Sequence, residues 1–477
     1  MSGKRWEIHA AYGGLSAGDL GRIMGDRKLD PFTQAELLAA ALAMSPRIKE
    51  KGRDHYRALI KDEQGHRPYE QVQIADGLTW LERLDLERSP FDGFAALPRY
   101  SFGLELRFEL ARPYLSRDDD AFYIIDNPVR KDKVFKVPFV SPTSWKGSLR
   151  AAATRELLDV FSGLLPAEPP VDETEREALL LELWEERARR VVLFGNEKEN
   201  EANFLNGWLA QRLFSTLLGE SDKERRKPLE KQAKQLGEEF QTYLKAKGYR
   251  TEKIEGRQGR LFCFPTFFNQ IGLEMINPHD RERRVGKNPI LFECVPAGAV
   301  GTFRLLYVPY DFPSKVTPDE TRLQAQVQAD LPLVAKVVRD LLTVYGFGAK
   351  TSSGFGAADP QRVAGEMRVN CLDEGAEGAE GASESLVRRL LMGDPLEHRL
   401  HDKFFADGQF VIVPDGEIKQ QPWDGKTKAD YRKVKLQVLG LLAEQPAGPQ
   451  FLAQPVTGLD QLLNLAHDLA RTIGGAP

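Results

Sequence analysis

An α+β fold is what this 477-residue chain predicts, and three observations carry the expectation. Phe102, Leu104, Leu106, Phe108 and Leu110 alternate with Glu105, Arg107 and Glu109. That period of two is what a half-buried strand requires. From Ser148 to Leu158 the chain is rich in strong helix formers, so a helix is expected to be entered through Lys146-Gly147. Strand-like runs return at Gly259–Phe264, Ile290–Val295 and Thr302–Val308, and a helical run follows over about 321–342. The order strand, helix, strands, helix fits a split βαβ plan.

Composition narrows the class. With 42% hydrophobic and 29% charged residues the chain can bury an ordinary core. Its formal charge is only -4, so a polyanionic partner would need locally concentrated bases. Cys263, Cys294 and Cys371 are widely spaced, which excludes a zinc motif and points to a reducing compartment. The N-terminus lacks the apolar run of a signal peptide and no segment is long enough to span a membrane, so the expected location is cytoplasmic.

Residues 1–98 read as a mostly helical extension, with Ala35–Leu42 as a helix capped near Thr33 and an amphipathic patch at Leu78, Trp80, Leu81 and Leu84. A docking surface for a neighbouring subunit is one expectation for it. The core is expected over 99–360, with a charged helical insertion at about 170–250 that breaks at Val191–Asn196. From Ser221 to Arg260 there are 12 Lys/Arg against 7 Asp/Glu, read first as a solvated helical face with ion pairs and second as a surface for RNA. Residues 361–385 read as an acidic Gly/Ala linker. Residues 386–477 read as an accessory segment, with a helix near Leu386–Leu391, a strand at Gln409–Val413 and two later helical patches.

Two stretches carry chemistry. Between Asn127 and Arg150 the bases are Arg130, Lys131, Lys133, Lys136, Lys146 and Arg150, against a single acid, Asp132. A strand, a basic loop and a helix entry together suit a polyanion. Just before them, Asp126 precedes Asn127-Pro128. Taken alone it is either a turn former bonded to its own backbone or a carboxylate able to hold a divalent metal. Asp118, Asp119 and Asp120 are its local rivals as metal ligands. Later, Gly346, Gly348, Gly354 and Gly356 surround Lys350 and two serines, a loop that lets backbone approach phosphate. The spacing is not that of a nucleotide-binding P-loop.

Ile125-Asp126-Asn127-Pro128-Val129, running on to Ser144-Trp145-Lys146-Gly147-Ser148-Leu149-Arg150, resembles the signature of the RAMP superfamily of CRISPR-associated proteins. The likeness is closest to the repeated backbone subunits of type III effector complexes. Leu193-Phe194-Gly195-Asn196 and the glycine loop follow in the family's order. One departure is that Ser141-Pro142-Thr143-Ser144-Trp145 stands where the family has Pro-Gly-Ser-Ser-Leu.

The resemblance implies a ferredoxin-like (RRM-like) core and a thumb-like hairpin near Ile276–Pro289. It implies guide RNA (crRNA) held by Arg130, Lys131, Lys146, Arg150, Arg281, Arg283, Arg284, Gly346, Gly348, Lys350, Gly354 and Gly356, with Lys287 suited to the same work on the thumb. Asp126 maps onto the aspartate those subunits need for cleavage of complementary target RNA with a divalent metal, Mg2+ or Mn2+. Cleavage would leave a 2′,3′-cyclic phosphate and a 5′-hydroxyl, and other effector subunits would be the partners. Two alternatives stand beside this reading. One is a non-catalytic capping or bridging subunit of the same complex; the other is a stand-alone, metal-independent endoribonuclease that matures guide RNA.

Overall fold

The alternation along Phe102–Leu110 becomes a strand, β1, with Phe102, Leu104, Leu106, Phe108 and Leu110 all buried. It follows a short helix, α1 (Ala75–Arg83), whose Leu81 is buried while Trp80 stays open. The computed structural model describes residues 75–117, 127–166, 172–214, 222–249, 257–276, 279–280, 285–286, 290–309, 320–370, 401–406, 409–411, 413, 416–444 and 451–473. They fall into two units: 1–92, 100–368 and 453–477 in the first, 93–99 and 369–452 in the second. The expected helix at 35–42, the Asp118–Asp120 and Asp126 positions, Arg281, Arg283, Arg284, Lys287 and the acidic stretch at 373–384 lie outside the described residues.

After β1 come β2 (Phe139–Val140) and α2 (Pro142–Leu164). The helix begins at Pro142, six residues before the expected start. Ser141 caps it, its side chain accepting from the Ser144 amide at 3.2 Å, and proline takes the first turn where its missing N–H costs nothing. Lys146-Gly147 therefore sits inside the helix, not at its entrance. Among the described residues the charged insertion forms three helices: α3 (Glu173–Phe194), α4 (Glu199–Phe214) and α5 (Asp222–Ala246). With Leu157 and Phe161 of α2 they enclose an apolar cluster around Leu183, Trp184, Leu209 and Phe240. Arg187 is buried there beneath Phe240, and its charge is met by Glu197 at 2.7 and 2.8 Å.

Strands β3 (Leu261–Cys263), β4 (Thr266–Phe267) and β5 (Gly272–Ile276) follow. The chain then passes through β6 (His279–Asp280) and β7 (Val285–Gly286), which pair with each other, to β8 (Ile290–Cys294), which pairs antiparallel with β5. Next are β9 (Val300–Tyr307), α6 (Glu320–Asp340) and β10 (Ala358–Asn370). Residues 361–370, expected to begin the linker, extend this last strand because Val363, Met367 and Val369 give it a buried face.

The second unit holds β11 (Phe405–Ala406), β12 (Gln409–Phe410) and α7 (Gly425–Glu444). The last two elements are β13 (Phe451–Thr457) and α8 (Leu459–Ile473). Of the expected strand at Gln409–Val413, Gln409–Phe410 pairs as β12; the Val411 amide then donates to Phe404 O at 2.8 Å, while Val411 O accepts from the Tyr431 hydroxyl and the Val413 amide donates to it.

One sheet organises the first unit, in the order β13-β10-β1-β9-β3. β1 and β9 run antiparallel from Phe102↔Tyr307 to Glu109↔Val300. Leu149 of α2 and Leu333, Val334 and Val337 of α6 pack with Leu261 and Leu305, so both helices cover the same sheet face. The tail expected to form one accessory segment divides: from Ala453 onward it belongs to the first unit, and α8 packs on α6 through Gln324 and Gln328.

The insertion is joined to this sheet where Gly195 meets Gly259 and its neighbours. The Arg260 amide donates to Val192 O at 3.0 Å and the Asn196 amide to Arg257 O at 3.2 Å. A Cβ on Gly259 would stand 2.3 Å from Leu193 O, backbone that has no room to retreat. Gly259→Ala is therefore expected to cost about 1–3 kcal/mol, the usual price of overpacking. A denaturant melt of the full chain reads it, and an unchanged midpoint would refute so tight an approach.

Candidate nucleic-acid interface

The four residues of Pro113–Ser116, just beyond β1, bond to three other parts of the sequence. Pro113 O accepts from the Gly356 amide at 2.8 Å, and Leu115 O from the Ala349 amide at 2.7 Å. Tyr114 exchanges backbone bonds with Val295 at 2.9 and 3.0 Å. The Ser116 hydroxyl accepts from the Arg130 amide at 2.8 Å. The segment thus brings the glycine loop, the end of β8 and the loop at Asn127–Lys131 to one place. Little in its composition signals this, because apart from the Ser116 hydroxyl its work is done by backbone groups.

Glu293 is the second residue that sequence reasoning missed. It is completely buried in β8, where its Oε2 accepts from Lys131 Nζ at 2.6 Å and from the Val129 amide at 3.1 Å. Its own amide donates to Asn127 O at 3.0 Å. The available signal was a lone acid inside the apolar run Ile290-Leu291-Phe292-Glu293-Cys294-Val295, since carboxylates enter cores only when paired. Lys131 is itself buried, so its charge is spent inside the protein. Arg130, the next residue back, is exposed, and its guanidinium lies 5.4 Å from the centre of the Phe139 ring.

The glycine loop is built around Phe347, which is buried against Trp145, Phe108 and Tyr114 at centroid distances of 4.6, 6.0 and 5.3 Å. A Cβ on Gly356 would meet Phe347 O at 1.9 Å, and one on Gly348, where φ is +88°, would meet Leu115 O at 2.4 Å. These glycines serve close packing of protein on protein. The amides of Gly346, Phe347, Ala349, Ser353, Gly354 and Gly356 all donate within the protein. What the loop presents to solvent is Gly348–Lys350 and Ser352–Gly354. Lys350 holds a left-handed backbone (φ 58°), and its ammonium lies 5.4 Å from the centre of the Phe292 ring, beside Glu293 in sequence. Two exposed cations, each against an aromatic ring, therefore stand at this junction, Arg130 in the Asn127–Lys131 loop and Lys350 against β8.

The α2 bases Lys146 and Arg150 have inward partners. Lys146 Nζ donates to Leu261 O at 3.0 Å; burial pulls its pKa down, opposed by Cys263 and assisted by Arg150. Cys263 in turn has its thiol pushed up to about 12 by burial. Arg150 donates to Phe194 O and Asn196 O, both at 2.6 Å, and reaches Glu201 at 3.3 Å. It thereby caps the C-terminus of α3, where carbonyls lack helical partners. Trp145, at the position where the family signature has leucine, donates from Nε1 to the Thr266 hydroxyl at 3.0 Å. Among the described residues no three His, Cys, Asp or Glu side chains gather as a metal site. Nor is any helix there long and apolar enough to cross a membrane.

Comparison with known proteins bears on this arrangement. One chain of the cryo-EM structure of the Type III-B Cmr-beta bound to cognate target RNA is similar over 72% of this chain and 87% of that chain, at 11% identity and a TM-score of 0.31. No curated protein matches. The RAMP superfamily model matches residues 74–359, more than half of the length and the whole span from α1 to the start of β10, and the chain belongs to the RAMP superfamily.

Proposed function

We propose that this chain is a subunit of a type III CRISPR RNA-guided effector complex, binding guide RNA and cutting the complementary target RNA at Asp126. The observation that carries the reading is the junction at Pro113–Ser116. It gathers the loop that adjoins Asp126, the glycine loop and β8, so that Arg130 and Lys350 flank one surface. The strand order β10-β1-β9-β3, with α2 and α6 on one face, supports a ferredoxin-like core. The paired β5–β8 and β6–β7 segments suit a thumb, from which Arg281, Arg283, Arg284 and Lys287 would reach phosphates.

Phosphate contact falls to Arg130, Lys350 and the thumb bases more than to Lys131 and Arg150, whose charges are engaged internally. Lys146, half-buried on Leu261 O, and the exposed Gly348 and Gly354 would line the strand's path, while Gly346 and Gly356 shape the loop. Glu293 is committed to Lys131, so a bound Mg2+ or Mn2+ would rest on Asp126 together with RNA and water oxygens, an arrangement that Mg2+ favours. The metal would offset charge on the scissile phosphate. This chain's own part is to fix the Asp126 loop through Asn127, Val129 and Lys131. Attack by the neighbouring 2′-hydroxyl leaves the cyclic phosphate and a 5′-hydroxyl. Sequence is read by base pairing with the guide, not by these side chains.

The test uses the assembled complex with its guide and a labelled complementary RNA, with and without Mg2+. Wild type is expected to cut at regular spacing. Asp126→Ala is expected to lose the cuts while retaining RNA. Equal cutting by both proteins would remove catalysis from this chain and leave the capping reading, which the additional second unit favours.

A further inference from the structure

A cleft of about 560 Å³ opens between α3, the end of α5 and α6, on the helical side of the first unit. It plays no part in the RNA reading above. Its volume lies within the roughly 300–1,000 Å³ typical of small-molecule sites. At the floor is Asp330, almost completely buried, which lines the cleft and keeps its Oδ2 on the Tyr307 hydroxyl at 2.9 Å. That hydroxyl accepts in turn from buried Arg260 at 2.7 Å, and Arg260 also reaches Gln326 at 3.1 Å. The Oδ1 of Asp330 has Arg189 Nε at 3.9 Å, too long for a hydrogen bond. The floor is thus a fixed acceptor, held in place from behind by a polar chain.

The mouth is different. Arg189, which pairs with Glu186 at 3.0 Å, stands there with Lys247, Arg322 and the exposed carboxylate of Glu185, and Tyr243 and Tyr249 form aromatic walls, the Lys247 ammonium 5.4 Å from the centre of the Tyr243 ring. An anion alone does not complete this arrangement, because it brings no donor to the Asp330 Oδ1 at the bottom. The fit is a planar molecule with an N–H donor at its inner end and an anionic group at its outer end. We propose that the cleft binds a nucleoside 5′-monophosphate unit with an amino-bearing base. The base amine donates to Asp330, the base lies against the tyrosines, and the phosphate meets Arg189, Lys247 and Arg322.

The same chemistry is offered by a free nucleotide and by the 5′-phosphorylated end of an RNA strand. Calorimetry of the full chain with AMP, GMP, CMP and UMP, and with a 5′-phosphorylated trinucleotide, separates the two. The proposal expects binding of the first three over UMP, weakened at least tenfold by Lys247→Glu and by Arg322→Glu. Both residues are exposed, so these variants should fold normally. A trinucleotide that binds tighter than its mononucleotide, with the same dependence on Lys247 and Arg322, marks the strand end as the ligand; the reverse order marks the free nucleotide. No heat at millimolar nucleotide, or binding indifferent to both substitutions, would overturn the proposal.

Discussion

Glu293→Gln is expected to destabilise the full chain by about 3–5 kcal/mol, the usual cost of stranding one partner of a buried ion pair. The glutamine keeps an acceptor for the Val129 amide but leaves the Lys131 ammonium buried without its counter-charge. Replacing both partners tells more than replacing one. A Glu293→Leu, Lys131→Met double variant removes the charges together and is expected to recover most of the loss, because well-packed apolar replacements of a buried pair are often neutral. Urea melts of wild type, Glu293→Leu, Lys131→Met and the double variant form a cycle whose coupling term reads the interaction directly. The first variant should also bind guide RNA less well, since Glu293 anchors Asn127 and Val129 as well as Lys131. If the single losses simply add in the double variant, the two side chains act independently and Glu293 does not hold the loop in place.

Much of the sheet was legible in sequence because its signals are local. The alternation at Phe102–Leu110 reports a strand with one wet face, and Phe102, Leu104, Leu106, Phe108 and Leu110 are buried while Arg107 is exposed, as the period requires. Ser141-Pro142 was equally local, an N-cap followed by a first-turn proline, and reading it would have placed the start of α2 correctly. The site was less legible for a physical reason. Arg150 looks like a phosphate ligand by charge and position, yet its guanidinium is taken by carbonyls 44 and 46 residues away. Lys131 is taken by a carboxylate 162 residues away. A charged side chain announces its type in the sequence but not its partner. The Pro113–Ser116 junction is more hidden still, since any sequence can supply backbone carbonyls and amides. The glycine loop was read for its flexibility toward a ligand, whereas Gly348 and Gly356 are needed for close contact with Leu115 and Phe347.

That distinction decides how RNA binding should be probed. Gly348→Asp would weaken binding, but it would also drive a side chain into Leu115 O, so its effect would not separate contact from folding. Arg130→Glu and Lys350→Glu avoid this, because both side chains are exposed and neither bears on the core. Each is expected to weaken guide RNA binding by tenfold or more, as loss of a hydrogen bond to a charged group costs about 1.5–3 kcal/mol. The salt dependence is the sharper readout. Each phosphate contact to single-stranded RNA contributes about 0.7 to the slope of log affinity against log salt, so the double variant should flatten that slope by about 1.4. Arg150→Ala supplies the contrast. It should lower stability, by uncapping α3, and leave the slope unchanged, because its guanidinium is already bonded to Phe194 O and Asn196 O. Should Arg150→Ala flatten the slope while the Arg130 and Lys350 reversals leave it intact, the strand must run along the start of α2, and the surface at Pro113–Ser116 would not be where RNA binds.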